Sequence, residues 1–259
     1  MGYEERIDVL GVGFDSISID QAAARAFEIM KRAGSRRESC LCDTFGGKKA
    51  YVVTPNPEIV WTARRSEPLR AAINDAALVL PDGIGIIYGA RILGAPLRSG
   101  RVPGIDFISS LFEKLAVSGG TVFLFGAKPG VAEEAGRKLA GRYPGLEIAG
   151  AADGYITDNE QTIGKINAAG PDLLLVCLGS PKQELWMAEN TVRLNVGLCA
   201  GLGGVLDVFA GRVKRAPVFF RKLGLEWLYR IIREPRRLKR SMKLPLFLFA
   251  VIWRRIRGK

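Results

Sequence analysis

Four polar clusters stand where an apolar run gives way to glycine or proline, and they hold the residues able to do chemistry. They are Thr54-Pro55-Asn56-Pro57-Glu58; Pro81-Asp82-Gly83-Ile84-Gly85 with Arg101-Val102-Pro103-Gly104-Ile105-Asp106; Gly179-Ser180-Pro181-Lys182-Gln183-Glu184; and Gly201 to Asp207, leading into Lys214-Arg215-Ala216-Pro217. Asp82 follows an apolar segment and precedes glycines that let a substrate come close. A carboxylate there is partly desolvated, which raises its basicity toward general-base use. The same spacing also suits an ordinary turn or helix-cap aspartate. Thr54 and Asn56 can hydrogen-bond a ligand, yet Thr-Pro-Asn is equally good turn chemistry. Gln183 beside a helix start can read an amide, a hydroxyl or a base edge, and Glu184 can serve as a helix-dipole partner.

What is missing narrows the chemistry. No histidine occurs among the 259 residues. Ser-His-Asp hydrolysis, Cys-His proteolysis and histidine metal sites are thereby removed, and proton transfer falls to Asp, Glu, Lys, Tyr or Cys. There is no Walker A sequence, Gly11-x-Gly13 lacks a third glycine, and Gly201-Leu202-Gly203-Gly204 is out of register for a dinucleotide fingerprint. No Asp-x-Asp pair is present to hold a divalent ion on a nucleotide sugar, so no metal and no cofactor is expected. Cys40 and Cys42 lack a second nearby pair. Cys177 and Cys199 lie in apolar runs and read as buried small hydrophobes, all four as free thiols of a reducing compartment.

The elements that must position these clusters alternate. Apolar runs at Ile7–Val12, Ala50–Thr54, Ala77–Leu80, Thr121–Phe125, Leu146–Gly150, Asp172–Cys177 and Val196–Ala200 read as strands. Helical windows fall near 19–33, 57–74, 84–93, 105–118, 129–142, 158–169 and 181–192. Ser18-x-x-Gln21 opens the first with a capping box, and Pro129 and Pro181 fit first helical turns. The fold class expected is therefore α/β: a Rossmann-like, mostly parallel sheet with helices on both faces, plus a basic helical appendage at the C-terminus. In such folds ligands sit at the carboxyl ends of strands, where all four clusters fall. Residues 34–50 interrupt the pattern as a polar, glycine-containing loop.

The charge is lopsided. Residues 212–259 carry 16 Lys/Arg against Glu226 and Glu234, a net of +14; the other 211 residues hold 22 basic and 24 acidic groups, a net of −2. This divides the chain into a near-neutral 1–211 α/β core and a basic 212–259 appendage. Arg230, Arg233, Arg237 and Arg240 recur at i, i+3, i+7 and i+10, one helical stripe whose guanidinium forks suit a diphosphate, although Pro235 threatens a kink. Leu225, Leu228, Tyr229 and Ile232 form an apolar face that could dock on the body. Leu244 to Trp253 is a ten-residue apolar run bracketed by arginines and lysines, too short to span a bilayer and suited to lying on an anionic membrane surface. Packing on the chain's own body, or self-association into a homo-oligomer, is the plainer alternative. No nucleic-acid partner is expected, since no recognition motif accompanies the charge. The polar, acidic first residues do not read as a signal peptide.

In this order the clusters resemble the WecG/TagA/CpsF family of bacterial glycosyltransferases. The matching text is TPNPEIV, ALVLPDGIGIIYGARILG, RVPGIDF, IAGAADGYI, LGSPKQELWM, GLGGVLDVFAGRVKRAP and LEWLYRIIREPRR, spread over about residues 7–240. The resemblance implies an inverting, metal-independent transferase. Such an enzyme moves a sugar, commonly N-acetylmannosamine, from a UDP donor to polyprenyl-diphosphate-linked N-acetylglucosamine at the cytoplasmic face of the membrane, in teichoic-acid or exopolysaccharide synthesis. It assigns the general-base position to Asp82 and the neighbouring catalytic one to Thr54. Asn56, Arg101 and Gln183 fall where the family lines its donor pocket, and Arg230, Arg237 and Arg240 match arginines that close over the site. Two alternatives stay open at this point: another donor such as UDP-glucose, and a non-catalytic protein that binds nucleotides or polyanions at a membrane. Residues 34–50 are longer than the family pattern leads one to expect.

Overall fold

The structure, a computed structural model, describes residues 6–34, 49–155, 158–233 and 242–258. Six parallel strands form one sheet: β3 (Lys49–Val53), β4 (Ala76–Val79), β5 (Thr121–Gly126), β6 (Glu147–Ala152), β7 (Leu173–Cys177) and β8 (Leu198–Gly201), in the order β4-β3-β8-β7-β5-β6. The strands are short and mostly apolar, with Lys49, Thr121 and Glu147 at the starts of β3, β5 and β6, and every residue of β4, β7 and β8 is buried. Alternate residues serve opposite faces. Leu173 and Leu175 join the core on one side, Leu174 and Val176 the core on the other.

The first core is closed by α1 (Ile19–Gly34), α5 (Gly104–Ser118), α6 (Val131–Arg142) and α9 (Val205–Phe209). The second is closed by α2 (Pro57–Ala63), α3 (Glu67–Asn74), α4 (Ile84–Ile92), α7 (Asn159–Ala169) and α8 (Lys182–Asn190). Short helices α10 (Val218–Lys222) and α11 (Glu226–Arg233) follow, and α12 (Lys243–Ile256) ends the described chain.

Local signals account for most boundaries. Ser18 N–H donates to Gln21 Oε1 at 2.9 Å and Gln21 N–H donates to Ser18 Oγ at 3.2 Å, the reciprocal capping box expected at the start of α1. The 57–74 window is two helices, because Pro68 cannot donate and its ring collides with the carbonyl one turn earlier. Ser66 restarts the chain by capping Leu69 N. Pro129 lies outside α6, which begins at Val131 after Gly130 in the left-handed region, and Pro181 is the cap residue of α8 behind a cis Ser180–Pro181 bond.

Ile7–Val12 is not a strand of the main sheet. β1 (Ile7–Val9) and β2 (Val12–Phe14) form an antiparallel hairpin turned by Leu10 and Gly11, both at positive φ. Arg6 donates to the carbonyls of Asn74, Ala76 and Ala77 and pairs with Asp15, which ties the hairpin to the start of β4.

The last helix packs on the body. Phe247 is fully buried against Gly89 of α4, where a Cβ would lie 3.0 Å from the ring. Leu244 reaches Gly85, Lys243 Nζ donates to Thr62 Oγ1 at 3.2 Å, and Arg254 pairs with Asp8 at 2.6 Å. Among the described residues no helix is long and apolar enough to cross a membrane. Phe247→Ala should therefore cost about 3–5 kcal/mol of folding stability, read as a lower midpoint in urea. A shift under about 1 kcal/mol would show that α12 is not part of the folded body.

Candidate active site

Four adjacent strands bring the polar clusters to one edge. Thr54 and Asn56 leave β3, Asp82 leaves β4, Gln183 follows β7, and Gly203 follows β8. All these ends are carboxyl ends, because every pairing in the sheet is parallel.

The β3 and β4 clusters form one packed unit. Asp82 N–H donates to the Pro55 carbonyl at 3.3 Å, and Leu80 N–H to the Val53 carbonyl at 2.9 Å. Gly83 sits at φ +83, and a Cβ there would touch Pro57 at 3.4 Å. At Gly85 the approach is closer, 2.7 Å from Pro57 Cγ and 3.0 Å from Leu244. The two glycines after Asp82 thus let α4 settle against the proline that opens α2, and this packing seats the turn that carries half-buried Asp82 on the loop that leaves β3. Asn56 spends its Oδ1 as the cap of α2, accepting from Ile59 N at 3.0 Å, which leaves its amide protons for other partners.

Gly104 brings the next cluster in. A Cβ on it would lie 3.3 Å from Thr54 Oγ1 and 3.1 Å from Leu202. The first turn of α5, a helix of 15 residues, therefore lies beside Thr54. Unpaired N–H groups at such a terminus favour negative charge.

Arg101 contacts the appendage. Nη1 contacts Glu226 of α11 at 2.6 Å, and Nη2 donates to the Arg221 carbonyl of α10. Five residues on, Asp106 pairs with Arg215 at 2.6 Å. The segment 101–106 is in this way strapped to the chain that follows α9, and Gly224, tight on Ile84, adds an apolar contact at the start of α4. Arg230 lies on α11; Arg237 and Arg240 lie outside the described residues, as does Pro235. Ile232, expected on a docking face, is exposed at the end of α11.

Gln183 is buried. Its Oε1 accepts from Gly203 N at 2.9 Å, and its Nε2 donates to Glu184 Oε1 at 2.9 Å. Glu184, read from the sequence as a helix-dipole partner, is only 1% exposed, and burial pushes its carboxyl above the ordinary glutamate range. Position along the chain gives no sign of this, since an exposed and a buried first-turn glutamate look alike in sequence. Cys177 and Cys199 are buried thiols, each pushed up to about 12 by desolvation. Cys40 and Cys42 fall outside the described residues.

Comparison with known proteins agrees with the resemblance in the motifs. A model described as "Glycosyl transferase WecG/TagA/CpsF family" matches residues 7–259. An N-acetylglucosaminyldiphosphoundecaprenol N-acetyl-beta-D-mannosaminyltransferase of Bacillus spizizenii is 39% identical over 205 residues, 79% of either chain. A protein of the same description from Staphylococcus aureus (strain MW2) is 34% identical over 247 residues, covering 95% of this chain and 92% of its own. Another from Bacillus subtilis (strain 168) is 36% identical over 203 residues, 78% of this chain and 79% of the relative.

Two substitutions probe the packing around the site. Gly85→Ala forces a methyl group into Pro57 and should cost about 1–3 kcal/mol in a thermal or urea melt. Glu226→Ala leaves Arg101 without its carboxylate; limited proteolysis should then cut the 212–233 region several-fold faster than in the wild type, with cleavage elsewhere unchanged. Equal cutting rates would mean that the ion pair does not hold the appendage.

Proposed function

Since this chain belongs to the glycosyl transferase WecG/TagA/CpsF family, we propose that it transfers N-acetylmannosamine from a UDP donor to polyprenyl-diphosphate-linked N-acetylglucosamine, with inversion at the anomeric carbon. The observation that carries this reading is that relatives named as N-acetyl-beta-D-mannosaminyltransferases of N-acetylglucosaminyldiphosphoundecaprenol match 78–95% of the chain, and that the family model spans residues 7–259, the carboxyl edge of the sheet among them.

The residues at that edge suit the chemistry. An acceptor hydroxyl attacks the anomeric carbon, the bond from that carbon to the UDP oxygen breaks, and the hydroxyl proton passes to Asp82. Thr54 lies beside the reacting centre, and Asn56 offers its remaining amide protons to the donor sugar. Negative charge grows on the departing UDP. We assign its stabilisation to cationic and dipolar groups in place of a metal: the first turn of α5 next to Thr54, and Arg230, Arg237 and Arg240 of the appendage. Arg101 contributes by holding α10 and α11 against the body through Glu226 and the Arg221 carbonyl. Gln183 supports the pocket from beneath, through Gly203.

A lipid-linked acceptor places the work at a membrane, here the cytoplasmic face. The outer side of α12 supports that reading. Leu246, Phe249, Trp253 and Ile256 follow one another along an exposed stripe, opposite the buried Phe247, Ala250 and Val251. Phe249 and Trp253 stack at 6.1 Å, and the Arg257 guanidinium lies 4.4 Å from the centre of the Trp253 ring. Aromatic rings flanked by guanidinium groups are at home at headgroup depth. Residues 212–259 thus serve as a membrane-associating, site-closing appendage to a 1–211 core.

The test is a transfer assay with UDP sugars and a short-tailed lipid-diphosphate N-acetylglucosamine acceptor, in EDTA. UDP-N-acetylmannosamine should be consumed only when the acceptor is present, and Asp82→Asn should lower kcat by about 10²–10⁴-fold while UDP binding persists. Turnover only with another sugar, UDP-glucose included, would replace the donor. Folded protein that binds anionic vesicles and turns over no donor would favour a non-catalytic binding role.

A further inference from the structure

One side chain joins the loops that leave β7 and β8. Gln183 accepts the Gly203 N–H on its amide oxygen and donates from its amide nitrogen to Glu184 Oε1. Gly203, at φ +59, has open space where a Cβ would stand, and its neighbour Leu202 presses on Gly104 beside Thr54. The orientation of the Gln183 amide therefore sets where the glycine loop lies relative to Thr54. An amide turned end for end would face its NH2 toward the Gly203 N–H, donor against donor. The acceptor that prevents this turn is Glu184 Oε1.

Glu184 is buried so deeply that its ionisation has to be asked about. Its Oε2 is buried with no hydrogen-bond partner. A bare carboxylate oxygen in an apolar surrounding is costly, whereas a carboxylic acid carries its proton there. The elements packed on α8 include α3, β3, β8 and the 3-10 turn Thr191–Arg193, with β5 in contact through Phe125 and Trp186 and α7 through the bond from Trp186 Nε1 to Asn159 Oδ1. The titratable groups they carry are exposed, as Lys165 of α7 is, or otherwise engaged. Lys49 Nζ donates to the Ala188 carbonyl at 2.6 Å, and the Tyr51 hydroxyl donates to the Ala72 carbonyl. Arg70 pairs with Glu67, Arg193 pairs with Glu160, and Cys199 is a buried thiol. We propose that Glu184 is a positioning residue for the transfer reaction, an uncharged buried acid that locks the Gln183 amide and, through it, the Gly201–Gly204 loop against the Thr54 side of the site. Burial acting on its carboxyl points the same way, outweighing the hydrogen bonds from Gln183 and Ser180 that favour the ionised form. The inference rests on the transferase reading for its activity arm alone.

Two variants of the full chain test it. Glu184→Gln is the neutral isostere, which keeps an acceptor for the Gln183 amide; Glu184→Leu keeps the burial and removes the acceptor. The first measurement is thermal melting against pH. A carboxyl neutral in the folded state and ionised above about 4.5 when unfolded gives stability that is full below that value and is lost as pH rises toward its raised folded value. Glutamine carries no such loss. The melting temperature of Glu184→Gln minus that of the wild type should therefore widen steadily from roughly pH 5 to 8. A difference that stays flat, or that turns against glutamine as pH rises, overturns the uncharged acid.

The second measurement is hydrogen exchange of the 201–207 segment. Glu184→Leu should speed it roughly tenfold or more, and Glu184→Gln should leave it near the wild-type rate. Unchanged exchange in the leucine variant overturns the positioning role. In the transfer assay the leucine variant should lose roughly ten- to a hundredfold in kcat, with glutamine restoring it to within a few-fold. Wild-type protein without turnover would count against the transferase reading, while melting and exchange would still decide the role of Glu184. Should the leucine variant not fold, the pH series on Glu184→Gln still decides whether the acid is neutral, and exchange in Gln183→Leu decides whether this pair sets the loop.

Discussion

The carboxyl edge of this sheet depends on how closely the turn after β4 can approach the proline that opens α2. Gly83 and Gly85 make that approach by having no side chain; at Gly85 a single methyl group would overlap Pro57. With the turn seated, the Asp82 N–H meets the Pro55 carbonyl, and two strand-end loops become one surface. Gly104 repeats the device on the other side of Thr54, bringing the start of α5 and Leu202 into contact with it. Glycine here supplies proximity as much as flexibility. The loops that carry Asp82, Thr54 and the first turn of α5 come together because these glycines present no side chain at their contacts.

Electrostatics is arranged around that surface by segregation. The body is nearly neutral and the last 48 residues carry the excess positive charge. Like charges packed together would repel, and the chain offsets this where the appendage meets the body. Arg101 takes Glu226, one of the two acids in the basic segment, and Asp106 takes Arg215. Both pairs are only partly exposed, so they are screened less than surface pairs. The helix that follows is held differently, by Phe247 and Val251 sunk into the second core. Its outer stripe of Leu246, Phe249, Trp253 and Ile256 is left toward solvent, the apolar surface that the proposed membrane contact would use.

Below the surface, polar groups are satisfied by neighbours in space rather than in sequence. Gln183 spans two loops, and Asn74 accepts from Gly13 N and donates to the Gly11 carbonyl, fixing the hairpin from 60 residues away. Arg6 performs a similar task for the start of β4. Gln183 acts at the sheet's carboxyl edge and Arg6 and Asn74 at the opposite end of β4, and the transfer proposed above would gain from a rigid edge.

Much of this was determined by sequence alone. The alternation of short apolar runs with amphipathic windows dictated a parallel sheet covered on both faces, since strands buried on two sides must be apolar throughout. The strand ends marked the four polar clusters, and their order marked the family. Local chemistry fixed the start of α1 at Ser18 and Gln21. Tertiary structure alone decided the rest. The first apolar run became a separate hairpin because Leu10 and Gly11 both turn through positive φ, which hydropathy does not encode. Residues 57–74 broke in two at 64–66, just before Pro68, a helix breaker that an amphipathic pattern overrides on paper. Gln183 and Glu184, which read as a ligand-reading and a helix-dipole residue at a helix start, are buried, and Arg101 pairs with Glu226 of α11. Periodicity reports which face of an element is apolar. Which polar groups meet, and how far water is excluded from them, is set by residues brought together from distant parts of the chain.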